Sequence, residues 1–256
     1  MTEMFPWVKR EITFDGKGCK RGDKLPSVRL VQEWLALHGF AVSVDGDFGP
    51  ATERALSLFQ KKEALPENGS VDQATFCALT APLLRVLATV PPAGQALPGL
   101  MVGYARQHLA EHPLEIGGQN RGPWVRVYME GNEGKDWPWC AGFVCFVMRQ
   151  AAASLGQAPP LKPTFSCDEL ASRARSAGYF IPGLQLTNPA TQLAPGAIFL
   201  NRKNTSDWSH TGLVTAVSSE TFETIEGNTN DAGDREGYEV CRRIRGFDAK
   251  DFIQFT

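Results

Sequence analysis

The chain has no apolar run near the roughly 20 residues that a membrane-spanning helix needs. Its start, MTEMFPWVKREITFDGKG, holds no continuous apolar core followed by small residues. Neither membrane insertion nor a cleaved secretion signal is therefore expected. The chain is expected to be made in the cytoplasm and kept there unless something other than a signal peptide exports it. Charge of one sign is also missing. With 26 Lys and Arg against 28 Asp and Glu, the net charge is −2, which gives no broad electrostatic case for nucleic acid or an anionic membrane. Cysteine is sparse: Cys19, Cys77, Cys140, Cys145, Cys167 and Cys241 are scattered over 256 residues without a CxxC pair. Most are expected to be reduced, buried and Val-like. Histidine is sparser still, with His38, His108, His112 and His210, so any chemistry that needs imidazole has few places to reside.

What is present divides into segments. Residues 1–26 form an N-terminal extension. Residues 27–80 carry three helical patterns: Val28, Val31, Trp34 and Leu35 after Ser27 as the expected cap; Ala51, Ala55, Leu58 and Phe59 after Pro50; Phe76 and Leu79 after Asp72. Three short helices around one small core are expected. Residues 81–98 contain four prolines and little charge and read as a semi-rigid linker. Residues 99–256 begin with helical patterns and end with strand-like runs: AIFL, HTGLVTAV, TFETIEG, YEVCRRI and FIQF. That order predicts an α+β domain with an antiparallel sheet.

The first segment resembles a known module. VRLVQEWLALHGF, VDGDFGPATERALSLFQ and GSVDQATFCAL are similar to the three-helix type of peptidoglycan-binding domain. The resemblance implies binding to the bacterial cell wall. Within it, DGDFG invites a calcium reading through Asp45 and Asp47, but the spaced acidic ligands and final Glu of an EF-hand loop are missing, and a turn closed by Asx hydrogen bonds explains the same letters.

The stretch DWPWCAGFVCFVMRQA contains two cysteines of different character. Phe143, Val144, Val147 and Met148 repeat at helical spacing, which puts Cys140 at a helix N-terminus. There the backbone N–H groups and the dipole favour a thiolate. Cys145 lies more than a turn further on, between Val144 and Phe146, where burial keeps a thiol inert. A nucleophilic thiolate needs a base. His210 sits where the polar DWS turn becomes the apolar, β-branched strand HTGLVTAV. The next strand ends in Glu226, Gly227 and Asn228, so an antiparallel pairing brings Glu226 or Asn228 beside His210 to orient the imidazole.

This constellation resembles the CHAP family of cysteine, histidine-dependent amidohydrolases and peptidases. WCAGFV, PGAIFL, SHTGLVTAV and IEGNTN occur in the family's order. The resemblance covers most of residues 100–245 and implies a papain-like core that hydrolyses peptidoglycan amide bonds, without a metal or other cofactor. Carried over by position, Cys140 is the nucleophile, His210 the base, Glu226 the orienting residue and Asn228 a fourth member. The bond cleaved is either the sugar–peptide amide (an N-acetylmuramoyl-L-alanine amidase) or one within the peptides (an endopeptidase). Two settings fit: a phage endolysin released through a holin pore, or an antibacterial effector delivered into a rival's periplasm and countered by an immunity protein.

The same residues admit other readings. HLAEH, from His108 to His112, matches a zinc-peptidase pattern, but Pro113 follows at once and no third ligand is evident, so a solvated last helical turn is preferred. Trp124, Trp137, Trp139 and Trp208 serve either as a substrate groove or as core, with Trp137 and Trp208 favoured for the groove. GNTNDAGDREG has oxygen donors enough for calcium, and a loop without metal is preferred. A non-catalytic wall-binding protein with a degenerate CHAP scaffold is the rival to an enzyme. A transpeptidase shares the acyl-enzyme chemistry; in the wall transpeptidases that carry this module the cysteine follows its histidine closely, whereas Cys140 precedes His210 by a wide gap.

Overall fold

A computed structural model describes residues 5–230 and 237–255. Part of the oxygen-rich Gly227–Gly237 stretch, residues 231–236, lies outside the described residues. The chain divides into two compact units, Met1–Leu87 with Leu114–Lys135, and Ala88–Pro113 with Asp136–Thr256.

The first unit contains α1 (Pro6–Ile12), α2 (Pro26–Leu37), α3 (Pro50–Lys62), α4 (Gln73–Val86) and α6 (Pro123–Tyr128). α2, α3 and α4 are the three expected helices. α2 starts two residues earlier than Ser27 as a cap would place it, with Leu25 at the N-cap. Pro26 takes the first helical position, where its fixed φ is already helical and its missing N–H leaves nothing unpaired. Asp72 caps α4 by accepting the Thr75 N–H at 2.8 Å. The DGDFG loop is an Asx turn: Asp45 Oδ1 accepts the Asp47 N–H at 2.9 Å. Gln32 Oε1 takes the N–H groups of Asp45 and Gly46, and Gln32 Nε2 donates to Asp45 Oδ1.

Two expected boundaries are corrected. Residues 81–86 are not linker: α4 continues through Pro82 to Val86. Phe76, Leu79, Leu83 and Val86 lie at helical spacing and are all buried. Burying Leu83 and Val86 is worth about 1.5–3 kcal/mol each, enough to offset the roughly 3 kcal/mol cost of an interior proline. Residues 114–135, expected in the second domain, fold with the first unit. Arg126 on α6 is bound by Glu11 of α1, Glu33 of α2 and Glu133, and Trp124 packs edge-on against Trp34 at 5.8 Å. The N-terminal extension belongs to this unit too, through α1 and the Cys19–Val71 bridge.

The second unit holds α5 (Leu97–Glu111), α7 (Cys140–Ser154), α8 (Cys167–Ala177) and a six-stranded antiparallel sheet. Its strands are β1 (Phe180–Ile181), β2 (Ile198–Asn204), β3 (Asp207–Val217), β4 (Thr221–Thr229), β5 (Glu239–Gly246) and β6 (Lys250–Ile253), in the order β1-β6-β2-β3-β4-β5. The α+β class is as the strand runs predict. α7 packs on α5, β3 and β4, and is buried almost all round, as its continuous apolar run requires. Phe199, Val214, Phe222 and Phe252 form a core cluster on the sheet with Leu193 and Ala197. The segment before α5 is strapped to that helix: Tyr104 Oη accepts the Val90 N–H, and Gln107 Nε2 donates to Ala88 O, each at 3.0 Å.

Candidate active site

Cys140 is the first residue of α7, with Trp139 at the N-cap. Backbone N–H groups in a helix's first turn have no acceptor inside the helix, and the dipole's positive end lies there. The residue is 5% exposed. His210 lies inside β3, not at its first residue as the DWS turn suggested, because the ladder with β2 runs on to Asn204 and Asp207. Glu226 is on β4, hydrogen-bonded to β3 through pairs such as Leu213 and Ile225.

The imidazole and the carboxylate meet. His210 Nε2 and Glu226 Oε2 are 2.8 Å apart, both residues buried. Glu226 is held from two further sides. Thr224 Oγ1 donates to Oε1 at 2.6 Å. Arg245 of β5 forks the carboxylate, Nε to Oε1 at 2.8 Å and Nη2 to Oε2 at 2.6 Å. A carboxylate so engaged can only accept, so Nε2 carries the hydrogen. Nδ1, buried and without a hydrogen-bond partner of its own, is the nitrogen left for the thiol.

The charges agree with that arrangement. The neighbouring Cys167 thiol and then His210 hold Cys140 well below the usual thiol range, against burial, which opposes them. Burial alone would push His210 down, but Cys140 and Glu226 more than offset it and lift the ring to about 9. Glu226 falls to about 2: burial opposes this, and the bonds from Arg245 and His210 outweigh it. A thiolate–imidazolium pair is therefore the favoured state at neutral pH. Cys145, deep in the same helix, is pushed up to about 11 by burial, so the two cysteines of α7 differ as their positions predict.

Two glycines make the geometry possible. Gly212 lies two residues on from His210, on the same side of β3. A Cβ there would sit 2.6 Å from Glu226 Cγ and 2.8 Å from Phe199 Cε1. Gly227 lets β4 approach α7, since a Cβ would meet Trp139 and Phe143 at under 3 Å. Gly212→Ala is expected to displace Glu226 from the ring and to lower stability by about 1–3 kcal/mol. Thermal unfolding with activity measured in parallel checks this; a variant equal to the parent in both would contradict it.

The remaining candidates are sorted by burial. Asn228 is buried at a bulge in β4, with φ 54°; the ring nitrogen is bonded to Glu226. Of the four tryptophans, only Trp137 is partly exposed, packed edge-on against Phe165. Trp139 is buried at the α7 cap, and Trp124 is buried in the first unit. Trp208, expected in a groove, is core: its Nε1 donates to Asp251 Oδ2 at 2.9 Å and Arg175 stacks on its ring. His108 is not on a solvated turn. It is fully buried between Phe143 and Phe146, pairs with Gln150 and is lowered to about 4 by burial. His112 pairs instead with Glu239, so the HLAEH histidines have separate partners.

Arg245 is the site residue that sequence reasoning missed. YEVCRRIRG offers Arg242, Arg243 and Arg245, and choosing among them needs the β4–β5 register.

Comparison with known families accords with this geometry. Residues 24–79 match the family described as "Putative peptidoglycan binding domain", and residues 131–228 match the CHAP domain. Searches of curated proteins and of solved structures gave no match. The two domain matches support a hydrolase that acts on peptidoglycan by amidase or peptidase chemistry.

Proposed function

We propose that the chain cleaves an amide bond of bacterial peptidoglycan with Cys140 as nucleophile, His210 as acid and base, and Glu226 as the group that orients the ring. The observation that carries this reading is a thiol at a helix N-terminus beside an imidazole whose other nitrogen is fixed by a buried, Arg245-bound carboxylate. The thiolate attacks the carbonyl carbon, and the backbone N–H of Cys140, directed away from the helix ladder, supplies one donor to the oxyanion. Imidazolium His210 gives its proton to the leaving amine as the C–N bond breaks. Water, deprotonated by His210, then cleaves the thioester and releases Cys140. Asn228 is the proposed fourth member, acting through the shape of the β4 bulge. Trp137 is the tryptophan proposed to meet substrate.

The first unit, with its wall-binding match, is proposed to hold the enzyme on the polymer and raise its local concentration there. The activity fits an amidase or an endopeptidase, in an endolysin or a delivered effector made in the cytoplasm and acting after release. Digestion of purified peptidoglycan with mass spectrometry of the products tests the proposal. New free amino and carboxyl termini within the muropeptides are expected; an undigested polymer would leave only a wall-binding protein.

The pH dependence follows from the ion pair. Imidazolium is needed to protonate the leaving amine, and its raised value keeps that proton on up to about 9. The rate kcat/KM is expected to hold through neutrality and to fall above about pH 9. On the acid side it falls only once the thiolate is protonated, below the ordinary thiol range. A steady rise through pH 9 would contradict the assignment of His210.

A further inference from the structure

Cys167 has no part in the mechanism above, yet it lies against the nucleophile. Its Sγ is 3.8 Å from Cys140 Sγ, van der Waals contact for two sulfurs, and both thiols are buried and reduced. Each is the first residue of its helix, Cys140 of α7 and Cys167 of α8. Both therefore sit where N-terminal N–H groups favour anionic sulfur. The other cysteine of α7 is placed otherwise: Cys145 Sγ accepts the Thr164 N–H at 3.5 Å. Among the described residues no group of three His, Cys, Asp or Glu side chains could hold a metal ion.

We infer that Cys140 and Cys167 form a reversible disulfide that switches the nucleophile off and shields it from irreversible oxidation. The sulfurs need to close from 3.8 Å to about 2.0 Å, a movement within reach of side-chain rotation at two helix starts. The oxidant is a peroxide. The Cys140 thiolate attacks one peroxide oxygen, the O–O bond breaks, and hydroxide leaves and takes a proton to become water. The product is a sulfenic acid at Cys140. The Cys167 thiol then attacks that sulfur. The S–S bond forms, the S–O bond breaks, and the departing hydroxide leaves as water with the proton from Cys167. In total two thiols lose two electrons and one peroxide becomes two waters. An external dithiol reverses the step by exchange.

The disulfide stands on the contact between the sulfurs; its effect on activity rests on the proposed role of Cys140. The test treats the whole chain with mild hydrogen peroxide and maps its peptides by mass spectrometry, before and after dithiothreitol. A Cys140–Cys167 crosslinked peptide, lighter by two hydrogens and lost on reduction, is expected. Wall digestion should disappear and return in step with it. In Cys167→Ser the same treatment should carry Cys140 on to the sulfinic acid, so that dithiothreitol restores at least about tenfold less of that variant's own starting activity than it does for the parent. A parent in which Cys140 becomes sulfinic without crosslinking, stays unmodified, or links to another cysteine would overturn the inference. If the crosslink forms in a chain that never digests peptidoglycan, the hydrolase reading fails and the disulfide stands.

Discussion

Cys140→Ala is expected to lower the rate of peptidoglycan digestion by about 10⁵–10⁶-fold, the loss seen when a covalent nucleophile is removed from a preorganised site. The size follows from what disappears. The remaining imidazole and carboxylate have no bond to make to the carbonyl carbon. Binding to the wall should survive, since residues 24–79 lie in the other unit. Stability should change little: the side chain is small, and its deletion removes an anion from a buried place. Pull-down on insoluble peptidoglycan alongside digestion reads both quantities. A variant that binds and still digests would move the nucleophile elsewhere; a parent that binds and never digests would leave the inert-scaffold reading.

Arg245→Met is expected to do the most damage to stability, about 3–5 kcal/mol, because it leaves the fully buried Glu226 carboxylate with its main positive partner gone. The sign of the accompanying shift is fixed. Without the guanidinium the Glu226 value rises from about 2, yet the carboxylate keeps its charge at the pH where His210 titrates, and that charge then acts on the imidazolium with no competing cation. The basic limb of the rate profile should therefore move above about 9, in addition to a lower maximum. A purely structural role would lower the folded fraction and leave that limb where it was. Denaturant unfolding and the pH–rate profile of the folded variant separate the two. Glu226→Gln, which keeps the shape and removes the charge, should move the limb the opposite way, below about 9, with less loss of stability.

Both residues illustrate what a linear chain reveals. The helix-start position of Cys140 was legible because a polar, proline-bearing turn precedes it and an apolar helical run follows. Cys145, inside that run, was as clearly a packing residue. His210 was legible by the change from turn letters to a β-branched run, though the strand proved longer than the letters implied. The choice of Glu226 over Asn228 hung on register. A bulge shifts the β4–β5 ladder between Glu226 and Thr229, and such shifts leave only faint traces in residue types. Arg245 was hidden for the same reason, one of three arginines on a neighbouring strand.

Long-range charge was the other blind spot. The path of residues 114–135 is set by Arg126 meeting Glu11 and Glu33, over a hundred and over ninety positions away. No local pattern announces such a meeting. Tertiary burial overrode local punctuation at Pro82, where Leu83 and Val86 carried α4 past a residue that normally ends a helix. Trp208 was misjudged because indole beside a candidate histidine suits a groove and a core equally; its bond to Asp251 decides for the core. The place of Cys167 is not legible in the sequence, because a single helix-start cysteine gives no hint of a second sulfur 27 residues earlier in the chain.

The hydrolase proposed for this chain depends on anionic sulfur beside cationic imidazole, and the rate of Cys140 alkylation by iodoacetamide against pH measures that directly. In the parent the rate should already be at its plateau at neutral pH, with Cys145 unmodified, and in His210→Ala the plateau should move up toward the ordinary thiol range near about 8.5. A rate that follows a single ionisation near that ordinary value in both proteins would show that the sulfur and the ring do not form the pair.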